Sequence, residues 1–270
     1  MSDRKYSSWD KESSSCGYGK SNFSVVKGKL NSSSKELFSE TPMFASEGWP
    51  VFVALDGTGS MGMWVSEIKE NLKTLFDDSK EVIPNAYFSF AIINDFCDGD
   101  NSCVQVSPFG CGCELVHFID SLRGGHGGDE PEAYEVYAKY VLDAVNNQPA
   151  MIYKPIVIII GDAFPHGIDG YSGSRIAKYN FDVPKLFQEL AKKTHLVVIG
   201  AGGKDYNMDS LMQTTEGKST SVDRPSQIVK KCVDEIGAIM KKEGLFNKDL
   251  VPKQPKKKKL NMKKRLKNFG

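Results

Sequence analysis

The chain has 270 residues and a net charge of +1, with 40% hydrophobic and 26% charged residues, as is typical of globular domains. No apolar run approaches the roughly 20 residues that a membrane-spanning helix requires, and the first residues lack the apolar stretch of a cleaved secretion signal. These totals argue against a membrane protein and predict an intracellular chain whose six cysteines are reduced thiols.

Composition along the chain predicts three segments. Residues 1–47 are rich in Ser, Lys, Glu and Asn, and their few apolar positions cannot offset the entropy lost on ordering, so disorder is expected. Residues 246–270 form a basic tail for which we expect the same. Between them, residues 48–245 are predicted to fold as one domain.

Strands and helices alternate through this domain. Strands are predicted, in chain order, at Trp49–Leu55, Ala86–Ile93, Cys103–Val106, Pro155–Gly161 and His195–Ala201. Helices are predicted at Met63–Phe76, Glu114–Leu122, Pro131–Asn146, a segment with Val183, Leu186, Phe187 and Leu190, and Pro225–Lys242. This alternation predicts an α/β fold, with a doubly wound, mostly parallel sheet and helices on both faces. Ligands of such sheets bind beyond the carboxyl ends of the strands.

The segment Val51–Gly62, with the sequence VFVALDGTGSMG, carries the most informative pattern. An apolar strand runs directly into Asp56, Thr58 and Ser60, three oxygen-bearing side chains at alternate positions. Alternate residues of an extended turn point the same way, so these three can converge on one cation. A carboxylate and two hydroxyls suit Mg²⁺, or Mn²⁺ or Ca²⁺, better than Zn²⁺.

Two other motifs share these letters. Gly57-x-Gly59-x-x-Gly62 follows a strand and opens a helix, as in dinucleotide-binding folds, but Asp56 would place a carboxylate beside the pyrophosphate. No acidic residue ends a second strand about 20 residues later, as that fingerprint requires. The letters LDGTG are also similar to those of haloacid dehalogenase-type phosphatases, whose nucleophilic aspartate would stand at the position of Ala54. A cation site therefore explains the pattern best.

Two later loops can complete an oxygen cage. Asp129 follows the glycine-rich loop Gly124–Gly128, and Asp162 follows the most apolar strand. Both lie on connections at the sheet edge where the first strand also ends. The predicted metal ligands are therefore Asp56, Thr58, Ser60, Asp129 and Asp162.

Structural roles are the alternatives for these ligands. Asp129 can cap a helix that begins at Pro131, and Thr58 and Ser60 can cap the helix that follows them. Asp162 can simply form a turn after its strand. Because Asp56 accompanies Thr58 and Ser60, metal binding is favoured over capping for these two hydroxyls.

The cysteines and histidines give weaker signals. Four cysteines and a histidine lie close together in the chain, namely Cys97, Cys103, Cys111, Cys113 and His117. Their spacing fits the Cys-x₂₋₄-Cys pairs of zinc sites poorly, so plain thiols are expected. His126 and His166 flank the proposed site and could contact a partner, although loop residues of this kind usually have no such role. His195 opens a strand, and we expect it to be structural.

The basic tail separates the charge of the chain into two parts. Residues 253–270 hold nine Lys or Arg and no acid, which leaves a net charge of −8 on residues 1–252. The run Lys253–Lys267 resembles a nuclear import signal, which favours the nucleus over the cytoplasm and an import receptor as a partner. Nonspecific nucleic-acid contact, or a solvated tail without a role, stays open.

Four ordered motifs make the chain similar to a known family. These are DGTGSMG, FAIINDFCDGDNSCVQVSPF, GGHGGDEPEA and IIIIGDAFPHG. They resemble motifs of von Willebrand factor A (VWA) domains, whose metal-ion-dependent adhesion site reads Asp-x-Ser/Thr-x-Ser. DGTGSMG further resembles an intracellular subgroup that includes the domain accompanying some alpha-kinases. The resemblance covers about residues 48–243.

The resemblance implies a Rossmann-like fold and a module that binds proteins through Mg²⁺. Asp162 would hold the ion directly or through water, and an Asp or Glu carboxylate of the partner would complete the coordination shell. Asn94 stands where the subgroup usually has Arg, and Phe164 replaces a proline. Asp129 replaces a threonine, which is expected to make the cage more anionic and to hold the metal more firmly.

The sequence favours a binding module over an enzyme. Hydrolysis at a single Mg²⁺ needs a positioned base and a phosphate clamp, and no histidine–carboxylate or Ser–His pair can be placed from the sequence. A binding module needs only an open coordination position. The alternative is a nucleotide-handling enzyme, or an enzyme accessory, that uses the glycine-rich loop after the first strand.

Overall fold

The computed structural model describes residues 48–95, 104–110, 115, 119, 131–148, 151–166, 182–203 and 206–245. Several expectations lie outside these residues: the disordered segment 1–47, most of the helix at Glu114–Leu122, the glycine-rich loop with Asp129, the clustered cysteines with His117, His126 and the basic tail.

A six-stranded sheet organises the described residues. Its strands are β1 (Trp49–Asp56), β2 (Ala86–Ile93), β3 (Val104–Val106), β5 (Ile156–Gly161), β7 (His195–Ala201) and β8 (Lys218–Val222). Their order across the sheet is β3-β2-β1-β5-β7-β8. All neighbouring strands are parallel except β3, which runs antiparallel to β2. A separate parallel pair joins β4 (Pro131–Glu132) to β6 (Phe164–Pro165).

Helices cover both faces of this sheet. They are α1 (Gly62–Glu70), α2 (Leu72–Val82), α3 (Tyr134–Asn146), α4 (Val183–Lys193), α5 (Tyr206–Gln213) and α6 (Ile228–Lys242), with short 3₁₀ helices at Gly59–Met61 and Pro225–Gln227. Residues of α1, α2 and α6 share one apolar core with Val51, Val53 and Leu55. Residues of α3, α4 and α5 share the other with Phe52 and Ala54. The predicted doubly wound α/β fold is confirmed.

This two-sided covering explains why the central strands are apolar throughout. All eight residues of β1 are buried, and their alternate side chains enter the two cores in turn. β5 is likewise buried at every position. Among the described helices, none combines the length and the apolarity that crossing a bilayer requires.

The helix predicted over Met63–Phe76 is divided in two by Asn71. The side-chain amide of Asn71 donates to the backbone carbonyl and to a carboxylate oxygen of Glu67, at 3.0 and 2.9 Å. An asparagine side chain that competes for backbone partners in this way weakens a helix interior. The apolar residues on either side, such as Ile68 and Leu72, nevertheless face the same core.

The helix predicted from about Pro131 to Asn146 is present and ends where expected, but it begins at Tyr134. Pro131 and Glu132 instead form β4, which pairs with Phe164 and Pro165. Proline is favoured in the first turn of a helix, but an edge strand accepts it equally because no amide hydrogen is needed there.

Besides the short strands β4 and β6, two longer elements were not predicted from the sequence patterns. β8 reads KSTSV, and its residues are mostly half-exposed because it is the last strand of the sheet. α5 has only eight residues. Neither carries the long apolar run that identified β1, β5 and β7.

Candidate metal-binding site

Asp56 and Asp162 lie at the carboxyl ends of adjacent parallel strands. Asp56 is the last residue of β1, and Asp162 follows the last residue of β5. The chain continues from β1 to β2 on one side and from β5 to β7 on the other. Strand connections that diverge in this way open a crevice at the sheet edge, and ligands of doubly wound folds bind there.

The turn after β1 is held tightly against β2. The Gly57 amide donates to the Ile93 carbonyl at 2.7 Å. A Cβ at position 57 would lie 2.3 Å from Ile92 Cγ2 and 2.5 Å from Asn94 Oδ1, so only glycine fits. This contact fixes the direction in which Thr58 leaves the strand.

Asp56 is completely buried and accepts three hydrogen bonds. Its Oδ1 accepts from the Thr58 amide at 2.9 Å and from the Thr58 hydroxyl at 2.6 Å, while Oδ2 accepts from the Tyr134 hydroxyl at 2.6 Å. Burial raises the pKa of Asp56, and the hydrogen bonds from Thr58 and Tyr134 offset this only in part. Within the described ranges, no basic side chain forms an ion pair with this carboxylate.

Ser60 and Asp162 close the site from the solvent side. The exposed Ser60 hydroxyl donates to Oδ1 of the half-buried Asp162 at 3.1 Å. The Asp162 charge also contributes to the raised pKa of Asp56, because two like charges lie near each other. The structure thus brings four of the five predicted ligands to one edge of the sheet, while Asp129 lies outside the described residues.

The capping alternatives fit the geometry poorly. Thr58 precedes the 3₁₀ helix Gly59–Met61, but its hydroxyl bonds to Asp56 and makes no cap. The helix that Asp129 would cap under the alternative interpretation begins at Tyr134, with Ala133 as its N-cap residue.

Tyr134 is a site residue that the sequence did not reveal. Its ring is buried at the start of α3, and its hydroxyl lies so close to β5 that a Cβ at Gly161 would be 1.9 Å from it. Burial, followed by the Asp56 charge, raises the pKa of Tyr134 well above its usual value, so the hydroxyl stays protonated as a donor. A buried tyrosine usually has a hydrogen-bond partner, but periodicity cannot identify a partner 78 residues away.

Comparison with known proteins gives a fold and two distant relatives. No family model matches the chain. It is 36% identical to an ariadne-like RING finger protein of Acanthamoeba polyphaga mimivirus over 118 residues, which are 42% of this chain and 11% of that protein. It is 28% identical to the alpha-protein kinase vwkA of Dictyostelium discoideum over 134 residues, 47% of this chain and 20% of the kinase. The chain therefore matches only a small part of each relative.

Three solved structures share the arrangement of strands and helices. A von Willebrand factor type A protein from Catenulispora acidiphila superposes with a TM-score of 0.51 and 12% identity over 70% of this chain and 42% of its own. The pilus adhesin SpaC of Lactobacillus rhamnosus GG gives 0.51 and 12% over 75% and 31%. A D319A mutant of the PilB minor pilin from Streptococcus sanguinis gives 0.50 and 14% over 74% and 63%. The chain has the VWA fold.

The donor set of this VWA fold suits a hard cation. Asp56, Thr58, Ser60 and Asp162 offer only oxygen atoms, which Mg²⁺, Mn²⁺ and Ca²⁺ prefer. Clusters of three or more His, Cys, Asp or Glu that could hold a metal are absent from the described part of the chain. Clusters defined in this way do not include hydroxyl groups, which supply two of the four donors here. The buried Asp56 carboxylate also has no cationic partner among the described residues. The residues present therefore fit such an ion.

His166 lies in the turn after β6, as expected of a loop residue, but it is buried, so its position does not support the alternative of contact with a partner. Its Nδ1 lies 2.9 Å from Glu135 Oε1, and its Nε2 lies 3.0 Å from Asp95 Oδ1. These are histidine–carboxylate pairs, which could not be placed from the sequence. Because carboxylates flank both ring nitrogens and all three side chains are at least 95% buried, the ring is poorly placed to act as a base on a ligand from solvent.

Proposed function

We propose that this VWA domain is a protein-binding module that uses Mg²⁺, or Mn²⁺ or Ca²⁺, to bind an acidic side chain of a partner. One observation carries the proposal: Asp56 is a fully buried carboxylate whose described hydrogen-bond donors are all neutral. An uncompensated buried charge is costly, and a bound cation would remove that cost. The same proposal assigns no catalytic step to the chain.

The exposure of the site residues supports binding from one side. Asp56 and Thr58 are buried at the base of the site, with exposed fractions of 0% and 4%, whereas Ser60 is exposed. A cation held by these oxygens would be covered by protein below and would face solvent above. A carboxylate from a partner could then occupy the outward position.

The loop geometry also bears on the nucleotide-handling alternative. A phosphate-binding turn directs its amides at an anion from the ligand. Here the Thr58 amide donates to the protein's own Asp56 carboxylate. This arrangement supports a cation in preference to a phosphate beside the turn.

Removing the Ser60 hydroxyl tests the site with little risk to folding, because the side chain is exposed. We expect Ser60→Ala to lower Mg²⁺ affinity about tenfold or more in isothermal titration, as is usual when a ligand of a metal site is perturbed. Ser66→Ala is the matched control, since Ser66 is also exposed and lies on α1 beyond the site.

Partner capture tests the docking itself. The chain should retain an acidic protein in Mg²⁺ and release it in EDTA, and Ser60→Ala should fail to retain it while Ser66→Ala behaves as the parent does. Capture that persists in EDTA would refute the proposal. Binding of ATP or a dinucleotide in Mg²⁺, without protein capture, would instead favour the nucleotide-handling alternative.

We also propose an intracellular, nuclear location and kinship with the alpha-kinase-associated subgroup. The match to vwkA supports the subgroup, and the nine basic residues after position 252 support import into the nucleus. A fluorescent fusion should accumulate in the nucleus, and deletion of residues 253–270 should abolish that accumulation. If the deletion leaves import intact but removes salt-dependent DNA binding, the tail is a nucleic-acid arm.

A further inference from the structure

Three ionisable side chains form a buried cluster behind the candidate site. The cluster consists of Asp95, Glu135 and His166, which we call the His166 cluster. Their side chains are exposed by only 1%, 4% and 5%, and the imidazole lies between the two carboxylates at 3.0 and 2.9 Å. The Glu135 carboxylate also accepts from the His166 amide at 3.1 Å, so backbone and side chain are both held.

Each member of the cluster belongs to a different segment. Asp95 follows β2, Glu135 lies in the first turn of α3, and His166 follows β6. The backbone joins two of these segments directly, because the Ala133 amide donates to the Asn94 carbonyl at 3.4 Å. The cluster therefore ties together three segments that are remote in the sequence.

Two of these segments carry a residue next to the cluster that touches the candidate site. Asn94, which precedes Asp95, lies against Gly57 of the turn after β1. Tyr134, which precedes Glu135, donates to Asp56.

The third segment carries a predicted ligand. Asp162 accepts from Ser60 and lies four residues before His166. β6, between the two, is fixed by its pairing with β4. A shift of the His166 ring would thus be transmitted along a short, paired segment to Asp162.

The two carboxylates of the cluster favour the protonated form of the His166 ring. Burial opposes the charged ring, but the hydrogen bonds and charges of Asp95 and Glu135 outweigh burial and raise the pKa of His166 to about 9. Glu132, opposite Pro165 in the β4–β6 pair, is a further buried carboxylate nearby. The ring is therefore cationic at neutral pH, and its loss would remove the positive charge that lies between these two buried carboxylates.

We propose that the His166 cluster positions the metal-binding residues by fixing the segments that carry Asn94, Tyr134 and Asp162. This inference rests on the proposed function insofar as it concerns metal affinity. It assigns the cluster no contact with the metal or with a partner.

His166→Gln and His195→Gln form a matched pair of variants for the test. Both rings lie beside a carboxylate, but the half-buried His195 opens β7 at the opposite end of the sheet and lies 3.4 Å from Glu243. We expect His166→Gln to lower Mg²⁺ affinity about tenfold, the usual effect of losing an outer residue of a metal site. His195→Gln should keep the parental affinity. Parental affinity in a folded His166→Gln protein would overturn the proposal.

Hydrogen exchange of the metal-free protein gives a readout that does not depend on metal binding. His166→Gln should accelerate exchange of the Gly57 and Thr58 amides, relative to amides of β5, about tenfold or more. An equal acceleration at both places would mean that the variant only destabilises the fold, and it would overturn the positioning role. If the loop responds but the parent binds neither Mg²⁺ nor Mn²⁺, the proposed function fails while the positioning role stands.

Asp95→Asn and Glu135→Gln keep the test decisive if His166→Gln does not fold. Each removes one charge and retains a polar side chain of similar size. Both should lower the pKa of His166, followed by the NMR shifts of its ring, and both should accelerate exchange at Gly57 and Thr58. A lowered ring pKa without faster exchange at the loop would overturn the proposal.

Discussion

The buried Asp56 carboxylate needs hydrogen-bond donors from its neighbours. Its carboxylate is buried at the end of β1, and its two oxygens are shared between Thr58 on its own turn and Tyr134 on α3. A small displacement of either donor would leave a buried oxygen without a hydrogen bond, which typically costs about 1–3 kcal/mol. At the residue scale, the positions of Thr58 and Tyr134 are therefore tightly constrained by this carboxylate.

Gly161→Ala should disrupt this packing, because its new methyl group would lie 1.9 Å from the Tyr134 hydroxyl. We expect a loss of about 1–3 kcal/mol in the free energy of unfolding, as for other overpacked cores, together with weaker Mg²⁺ binding. Gly237→Ala is the control: beyond its own helix backbone, no atom lies within 4 Å of its new Cβ, and alanine should stabilise α6 by about 0.5–1 kcal/mol. Urea denaturation measures both, and equal effects would contradict the packing argument.

The elements differ in how far the sequence could predict them. β1, β5 and β7 are buried on both faces, so their apolar runs identify them. β8 is polar because it ends the sheet, and the start of α3 depends on the pairing of β4 with β6. Local sequence patterns could predict neither the polar strand β8 nor the start of α3, since both depend on which elements lie beside them in the folded chain.

The same distinction applies to the site. Asp56, Thr58 and Ser60 share one turn, and Asp162 follows a neighbouring parallel strand, so strand order alone brings them together. Tyr134 reaches Asp56 across 78 residues, and His166 reaches Glu135 across 31. Such contacts depend on helix placement, which periodicity does not specify.

α6 is held to β8 by Glu235, which pairs with Lys218 at 2.5 Å and with Lys231 at 2.9 Å. Burial opposes its charge, but the hydrogen bonds from both lysines outweigh burial and lower the pKa of Glu235. The stabilisation is therefore present above the ordinary glutamate pKa and is lost as the pH falls through the lowered value.

Glu235→Gln should destabilise the fold by about 1 kcal/mol at pH 7, a small value because the Lys218 side chain is 53% exposed and screened by water. The difference between parent and variant should shrink in acid. Urea denaturation at pH 7 and pH 3 measures this, with Glu189→Gln on α4 as an exposed control. A difference that does not change with pH would contradict the ion-pair explanation.

At the scale of the whole molecule, two histidines impose opposite dependences on pH. His166 binds its proton more tightly in the folded state, so its stabilisation is complete below the unfolded pKa of about 6.5 and is lost as the pH rises to about 9. Burial, followed by the Lys154 charge, lowers the pKa of His195, so its contribution is lost as the pH falls below about 6.5.

We therefore expect the metal-free protein to become less stable between pH 6.5 and pH 9, and His166→Gln to flatten that slope. His195→Gln should leave the alkaline slope unchanged and should reduce the loss of stability in acid. Thermal unfolding across this pH range measures both effects. An alkaline slope that persists in His166→Gln would assign it to other groups.

The polar edge strand β8 also affects how readily separate molecules of the protein associate. β8 presents Ser and Thr side chains beside Lys218, whose amine is anchored to Glu235. Hydrophilic residues and a lysine on a terminal strand discourage the edge-to-edge pairing through which sheets from separate molecules aggregate. The side of the sheet can thus resist unwanted self-association at a place separate from the end where Asp56 and Asp162 lie.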